Sequence, residues 1–245
     1  RRLRSLAPRN LEALGFFEHC YEKDGDWKRL YNTLSQRLSL ELSDVGRASV
    51  AKRMAVLASS ELEDRERALE SWKRALRYAP DDPEVQQAIS ELYHETGKWY
   101  ALVDFLNAQI QSTPEDDVDR RVALLFRLIE IYQNADKIPS DGMVVKTYRR
   151  IVEVSPNNVT ALDSLAQKYE DRNRWRDLVQ VLQRRIEVTE DADDLLRLFL
   201  QVASLWIERM ANPSQAIPFL ERIMEIDPEN LDVVRKLREI YRAKH

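Results

Sequence analysis

Apolar side chains recur at i, i+3, i+4 and i+7 in run after run along this chain, the period of a helix that buries one stripe and wets the other. The pattern predicts helices over 10–23 and 27–42, 44–62 and 65–78, 83–96 and 99–112, and 118–135 and 142–154. Further helices are predicted over 158–172 and 175–188, 192–210 and 213–226, and 231–242. Turn chemistry marks the breaks: Gly25 and Gly97 stand four residues after a tyrosine, where a left-handed C-terminal cap is wanted, and Asn173 takes the same place. Asp82 before Pro83 and Asn212 before Pro213 each set a capping side chain beside a first-turn proline. The segment 133–142 predicts an enlarged loop able to serve binding. Pro218, about a turn into its helix, predicts a kink or a delayed start.

The elements themselves repeat. Tyr21 to Trp27, Tyr93 to Trp99 and Tyr169 to Trp175 recur 72 and then 76 residues apart, and Tyr241 follows Tyr169 by 72. Pro8, Pro80, Pro156 and Pro228 keep the same intervals, each closing an apolar run. Half of that period is close to the ~34-residue helix-turn-helix repeat, so the natural module is a pair of hairpins. Modules fall at about 9–80, 81–156 and 157–228, with a terminal helix over 229–245. The expected fold is all-α: one α-solenoid over 1–245, about six hairpins and a terminal helix.

Composition agrees, since 44% hydrophobic residues with only 5 Gly favour helix throughout. No stretch reaches the ~18 apolar residues of a membrane span. The 42 acidic and 38 basic side chains are interleaved, which reads as solvated helix faces and weighs against a nucleic-acid partner. The lone Cys20 excludes an intrachain disulfide and leaves the compartment open, with a cytoplasmic location favoured over a periplasmic one. Residues 1–8 read as the tail of a second helix and 231–242 as a first helix without its partner, so the chain reads as a piece of a longer array.

The run from Ala68 through Trp72 to Ala75, closed by Pro80, resembles the second helix of the tetratricopeptide repeat. Val144 to Ile151 before Pro156 and Ala216 to Ile223 before Pro228 keep the register with looser matches. Alternate hairpins depart from the family by placing Leu30, Leu102 and Leu178 where a small residue is usual, which must widen the local helix spacing. The resemblance covers essentially the whole chain and implies a right-handed superhelix in which each hairpin touches its neighbours. Trp27, Trp99 and Trp175 are then expected in the core between repeats.

No reactive constellation emerges. His19, His94 and His245 lie in separate units without metal-ligand spacing, and no Gly-rich phosphate loop, nucleophile elbow or dinucleotide fingerprint occurs. Arg120-Arg121, Arg149-Arg150 and Arg184-Arg185 read as helix-surface charge. No catalytic residue, metal or cofactor is expected. The resemblance implies a non-enzymatic scaffold that holds a partner protein or peptide on a concave wall of first helices. Carried over residue by residue, that wall comprises Glu84, Gln87, Glu91 and His94, then Phe126 and Glu130, then Asp163, Gln167 and Glu170. Such a wall is acidic and fits a basic helix or extended basic peptide. The family's chaperone-tail clamp needs asparagine where this chain has His19, Ser59, Glu91, Glu130 and Gln167, which argues against that role. Two other readings remain: an RNA-associated helical repeat, motivated by the aromatics and opposed by the −4 charge, and the recognition arm of a larger enzyme or membrane-anchored protein.

Overall fold

The computed structural model describes residues 10–134 and 136–244. Pro8 and the segment 1–8 lie outside the described residues. Thirteen α-helices fill the described chain, and no strand occurs among them. They are α1 (Leu11–Asp24), α2 (Trp27–Leu40), α3 (Asp44–Ser60), α4 (Arg65–Tyr78), α5 (Pro83–Glu95), α6 (Trp99–Ser112) and α7 (Val118–Gln133). The series continues as α8 (Asp141–Val154), α9 (Val159–Asp171), α10 (Trp175–Glu187), α11 (Ala192–Ser204), α12 (Ile217–Ile226) and α13 (Leu231–Lys244). The fold is an all-α helical repeat.

Most helices start on a side-chain cap that satisfies an orphan amide of the first turn. Asp26 Oδ1 accepts from the Arg29 amide, Asp64 from Arg67, Asn158 from Ala161 and Asp191 from Asp194. Asp82 caps α5 beside Pro83, as its sequence implies. Asn212 does not cap: its side chain makes no such bond, and its own amide donates to Trp206 O at 2.9 Å. Gly25 and Gly97 take φ of 67° and 65°, and Asn173 takes 55°, so all three occupy the left-handed caps their spacing predicts.

The described residues gather into two compact units that divide after Phe105, inside α6, away from the paired-hairpin boundaries near 80 and 156. In the first unit, α3 and α4 make the closest helix pair. Ala48, Ala51, Ala55 and Ala58 on α3 and Ala68 and Ala75 on α4 are all buried, and such small side chains let two backbones approach. Leu14, Leu30, Leu34 and Met54 fill the remaining core, each contributing roughly 2 kcal/mol by burial. Glu18 on α1 is 3% exposed. Arg37 reaches its carboxylate at 3.1 Å and Arg53 at 2.9 Å, so its charge is paired from two helices.

In the second unit, Leu125, Leu128, Ile151, Leu162, Leu165 and Leu178 form the central core. Phe199, Ala203, Ala216, Leu220, Ile223, Val233 and Ile240 form a further cluster against which Trp206 packs. The helix expected over 192–210 is α-helical to Ser204 and then π-helical over Leu205–Arg209. The next helix opens as a 3-10 turn over Pro213–Ala216, and α12 begins at Ile217 with Pro218 in its first turn. Pro218 therefore delays the α-helix, because a proline is tolerated where its missing N–H has no partner to lose. The long connection after α7 folds back on that helix: Ser140 N donates to Tyr132 O at 2.9 Å, and Lys137 Nζ pairs with Glu130.

The tryptophan expectation needs correcting. Leu30, Leu102 and Leu178 are buried, as are Tyr93 and Tyr169, but Trp27, Trp99 and Trp175 are half-buried. Each Trp is the first residue of its helix, and none of the three is fully buried. Trp99 meets the His94 ring edge-on at 4.9 Å, and the Arg209 guanidinium lies over Trp175 at 5.2 Å.

Candidate functional site

Helical spacing sets the faces of α5, α7 and α9. On α5, Val85, Ile89, Leu92 and Tyr93 are buried while Glu84, Gln87, Glu91 and His94 are exposed. The same division holds on α7, where Leu124, Leu125 and Leu128 turn inward and Glu130 outward, and on α9, where Asp163, Gln167 and Glu170 are exposed opposite Leu162 and Leu165. Phe126 is half-buried, its ring edge-on to Tyr148 at 6.3 Å. The α5 residues belong to the first unit and the α7 and α9 residues to the second.

Charge on these faces is largely answered from within the chain. Lys52 Nζ lies 2.6 Å from both Asp82 and Glu84, a shared contact that raises the lysine pKa through its hydrogen bonds to Asp82 and then Glu84. The same contact holds the Asp82 carboxyl below its ordinary range. Glu130 pairs with Lys137 at 3.0 Å and Asp163 with Arg185 at 2.9 Å. Gln87 donates to Glu91 at 2.7 Å, and Gln167 to Asp171 at 2.8 Å. Among the described residues, Glu91 and Glu170 are the proposed acids without an ion pair. The faces are thus less acidic than their sequence alone implies.

Of the arginine pairs, Arg184 is tied to Glu187, Arg185 to Asp163, and Arg150 donates to Asn107 at 3.1 Å. No group of three or more His, Cys, Asp or Glu able to hold a metal occurs among the described residues. No helix among them is long and apolar enough to cross a membrane. Sequence reading missed the Glu18 cluster. Its signal was present, because Glu18 stands four residues after Leu14 on the apolar stripe of α1, where a charge demands a partner.

Residues 161–196 match a family model described as a tetratricopeptide repeat. Residues 161–196 therefore carry one tetratricopeptide repeat. The match runs over α9, α10 and the start of α11, a leucine-bearing hairpin of the type that departs from the family's small residue, here at Leu178. No curated protein matches this chain. Among solved structures it is similar to Pseudomonas aeruginosa PilF, at 15% identity over 96% of this chain and 97% of the other, with a TM-score of 0.36. It is similar also to the C-terminal part of a tetratricopeptide-repeat protein from Cytophaga hutchinsonii, at 13% identity over 96% and 91%, with a TM-score of 0.40. A third, YrrB, is 15% identical over 77% of this chain and 90% of its own, with a TM-score of 0.33.

Proposed function

We propose that this chain is a tetratricopeptide-repeat scaffold that holds a partner protein or peptide on the exposed faces of α5, α7 and α9. The observation that carries the reading is the contrast along those helices. Each fixes its buried stripe with Leu, Ile, Val or Tyr, while Glu84, Gln87, Glu91 and His94, and likewise Glu130, Asp163, Gln167 and Glu170, are exposed and polar. A basic segment is the preferred partner. Among the described residues Glu91 and Glu170 have no ion pair to break, and the carboxylate of Glu130, 72% exposed, is open to a partner's lysine or arginine while it keeps its pair with Lys137.

The single solenoid of paired-hairpin modules belongs to the same proposal, since a repeated frame is what sets such residues at regular intervals. Crosslinking of the purified chain to candidate partners, followed by affinity measurement, tests it. Charge reversal by Glu91→Lys, Glu130→Lys and Asp163→Lys should weaken capture of a basic partner about tenfold or more, as loss of complementary charge does. Unchanged affinity would remove the partner from these faces. Turnover of a substrate by a chain that captures no partner would overturn the scaffold reading.

A further inference from the structure

The corner between α11 and α12 differs from its counterpart two modules earlier. At the α3–α4 corner, Asp64 N donates to Ala58 O and Glu63 takes a φ of 51°; at the α11–α12 corner, Asn212 N donates to Trp206 O and Ala211 takes a φ of 48°. The turn is therefore the same, but the side chains around it are not. Around the earlier corner Tyr31 on α2 donates to Ser71 Oγ at 2.8 Å, Ser71 donates to Arg67 O, and the Arg67 guanidinium covers the Tyr31 ring at 5.2 Å. The matching positions hold Val179, Phe219 and Gln215. The phenol of Tyr31 and the guanidinium of Arg67 have no counterpart at these positions.

What remains is a cleft of about 490 Å³ between α10 and the α11–α12 corner, walled by Val179, Trp206 and Met210 and rimmed by Gln180, Gln183 and Gln215. It shares Arg176 and Met210 with an adjoining cleft of about 390 Å³ that includes Trp175 and Arg209. Trp206 stands where Ala58 stands in the earlier hairpin, and the helix widens to a π turn at that residue. An indole cannot take an alanine's seat between close-packed helices, and π turns of this kind recur at functional sites. The Trp206 Nε1 is buried without an acceptor, so the wall is not fully satisfied within the chain.

Polar capacity converges here unspent. Gln180, Gln183 and Gln215 line the cleft with exposed carboxamides, Asn212 joins them because it makes no cap, and none of the four has a side-chain partner among the described residues. Each carboxamide both donates and accepts, which is what the alternating N–H and C=O groups of an extended main chain require. Arg176 and Arg209 are exposed and form no ion pair with a described residue. Asp177, the acid among the lining residues, is already held by Arg174 at 2.7 Å. The position of Arg176 carries Lys28 in the earlier module and that of Arg209 carries Glu61, so the second cation is what the α11–α12 corner adds.

We propose that this cleft binds an extended acidic peptide segment, with carboxamides on its main chain and Arg176 and Arg209 on its carboxylates. The site uses a second helix and a hairpin corner, and it does not depend on the faces of α5, α7 and α9. A library of random eight-residue peptides displayed on phage and selected against the full chain provides the probe. Enriched peptides should carry Asp or Glu. Arg176→Glu with Arg209→Glu should weaken them about tenfold or more, while Glu91→Lys with Glu130→Lys should leave them unchanged.

Arg209 also stacks on Trp175, so a second variant keeps the test decisive if the first loses its helical signal: Val179→Tyr with Gln215→Arg should plug the cleft and weaken binding about tenfold. Enrichment of basic or apolar peptides, no enrichment at all, or binding that survives both variants would each overturn the proposal. Binding of single-stranded RNA with the same arginine dependence, in place of any peptide, would overturn it as well. Loss of binding on Glu91→Lys with Glu130→Lys alone would assign the peptide to the first-helix faces and likewise refute the cleft.

Discussion

At the α3–α4 corner Ala58 is fully buried, Tyr31 is bonded to Ser71 and Arg67 lies over the ring; at the α11–α12 corner Trp206, Val179 and Gln215 take those places and a cleft stands open. The two share their backbone turn, including a left-handed residue that is not glycine. A repeat frame can therefore keep its geometry while a handful of substitutions moves the open space: the earlier corner has a recess of about 690 Å³ beside Ser59, Asp64 and Arg65, and the later one a cleft of about 490 Å³ beside Val179 and Trp206. Fit at the seam constrains α3 and α4, where both helices carry buried alanines. The same constraint is relaxed at α11, where a π turn absorbs the larger ring.

The comparison breaks hardest at Ala58. Ala58→Trp moves the later corner's wedge into the tightest helix pair of the molecule and should destabilise by about 3 kcal/mol, read as a fall in the thermal unfolding midpoint. A variant as stable as the parent would show that the α3 seat is not close-packed. Next in size is Glu18→Gln, which leaves Arg37 and Arg53 without their buried counter-charge. Both arginines are partly solvated, so the cost should be about 2 kcal/mol, below the 3–5 of a fully buried pair. Denaturant midpoints measure it, and a loss no larger than that of Glu22→Gln would reduce the cluster to surface charge.

Filling the later corner, by Val179→Tyr with Gln215→Arg, should cost an acidic peptide about tenfold in affinity, equivalent to about 1.4 kcal/mol, with helical content unchanged. Fluorescence anisotropy with a selected peptide reads this directly. The smallest effect concerns Lys52 and Asp82. The Asp82 carboxyl is held below its ordinary value, so the stability it adds is present at neutral pH and is lost as pH falls below the ordinary carboxylate range. Lys52→Met should lower stability by roughly 0.5 kcal/mol at pH 7, the scale of a screened pair, and the gap to the parent should close towards pH 2. A gap that stays constant with pH would exclude the ion pair as its cause.

Much of the fold was legible because its signals are local. Gly25, Gly97 and Asn173 announced left-handed caps that only small or asparagine side chains adopt without penalty, and Pro218 announced a delayed helix. The candidate faces on α5, α7 and α9 followed from helical period, which separates Val85 and Ile89 from Glu84 and Gln87 without knowledge of the neighbouring helix. Their charge did not follow. Glu84 meets Lys52 and Asp163 meets Arg185 across helix boundaries, and sequence spacing cannot say which cation reaches which acid.

The sequence by itself determined the number, period and capping of the helices, because hydrogen bonds, caps and apolar stripes are decided within a few residues. The tertiary structure decided what fills the space between them. It buried Glu18 beside two arginines, left Trp27, Trp99 and Trp175 half-buried, and opened a cleft where Val179 stands in place of Tyr31. Packing is a property of side chains brought together from distant segments, so a one-residue change in volume acquires its meaning only opposite the residue it meets.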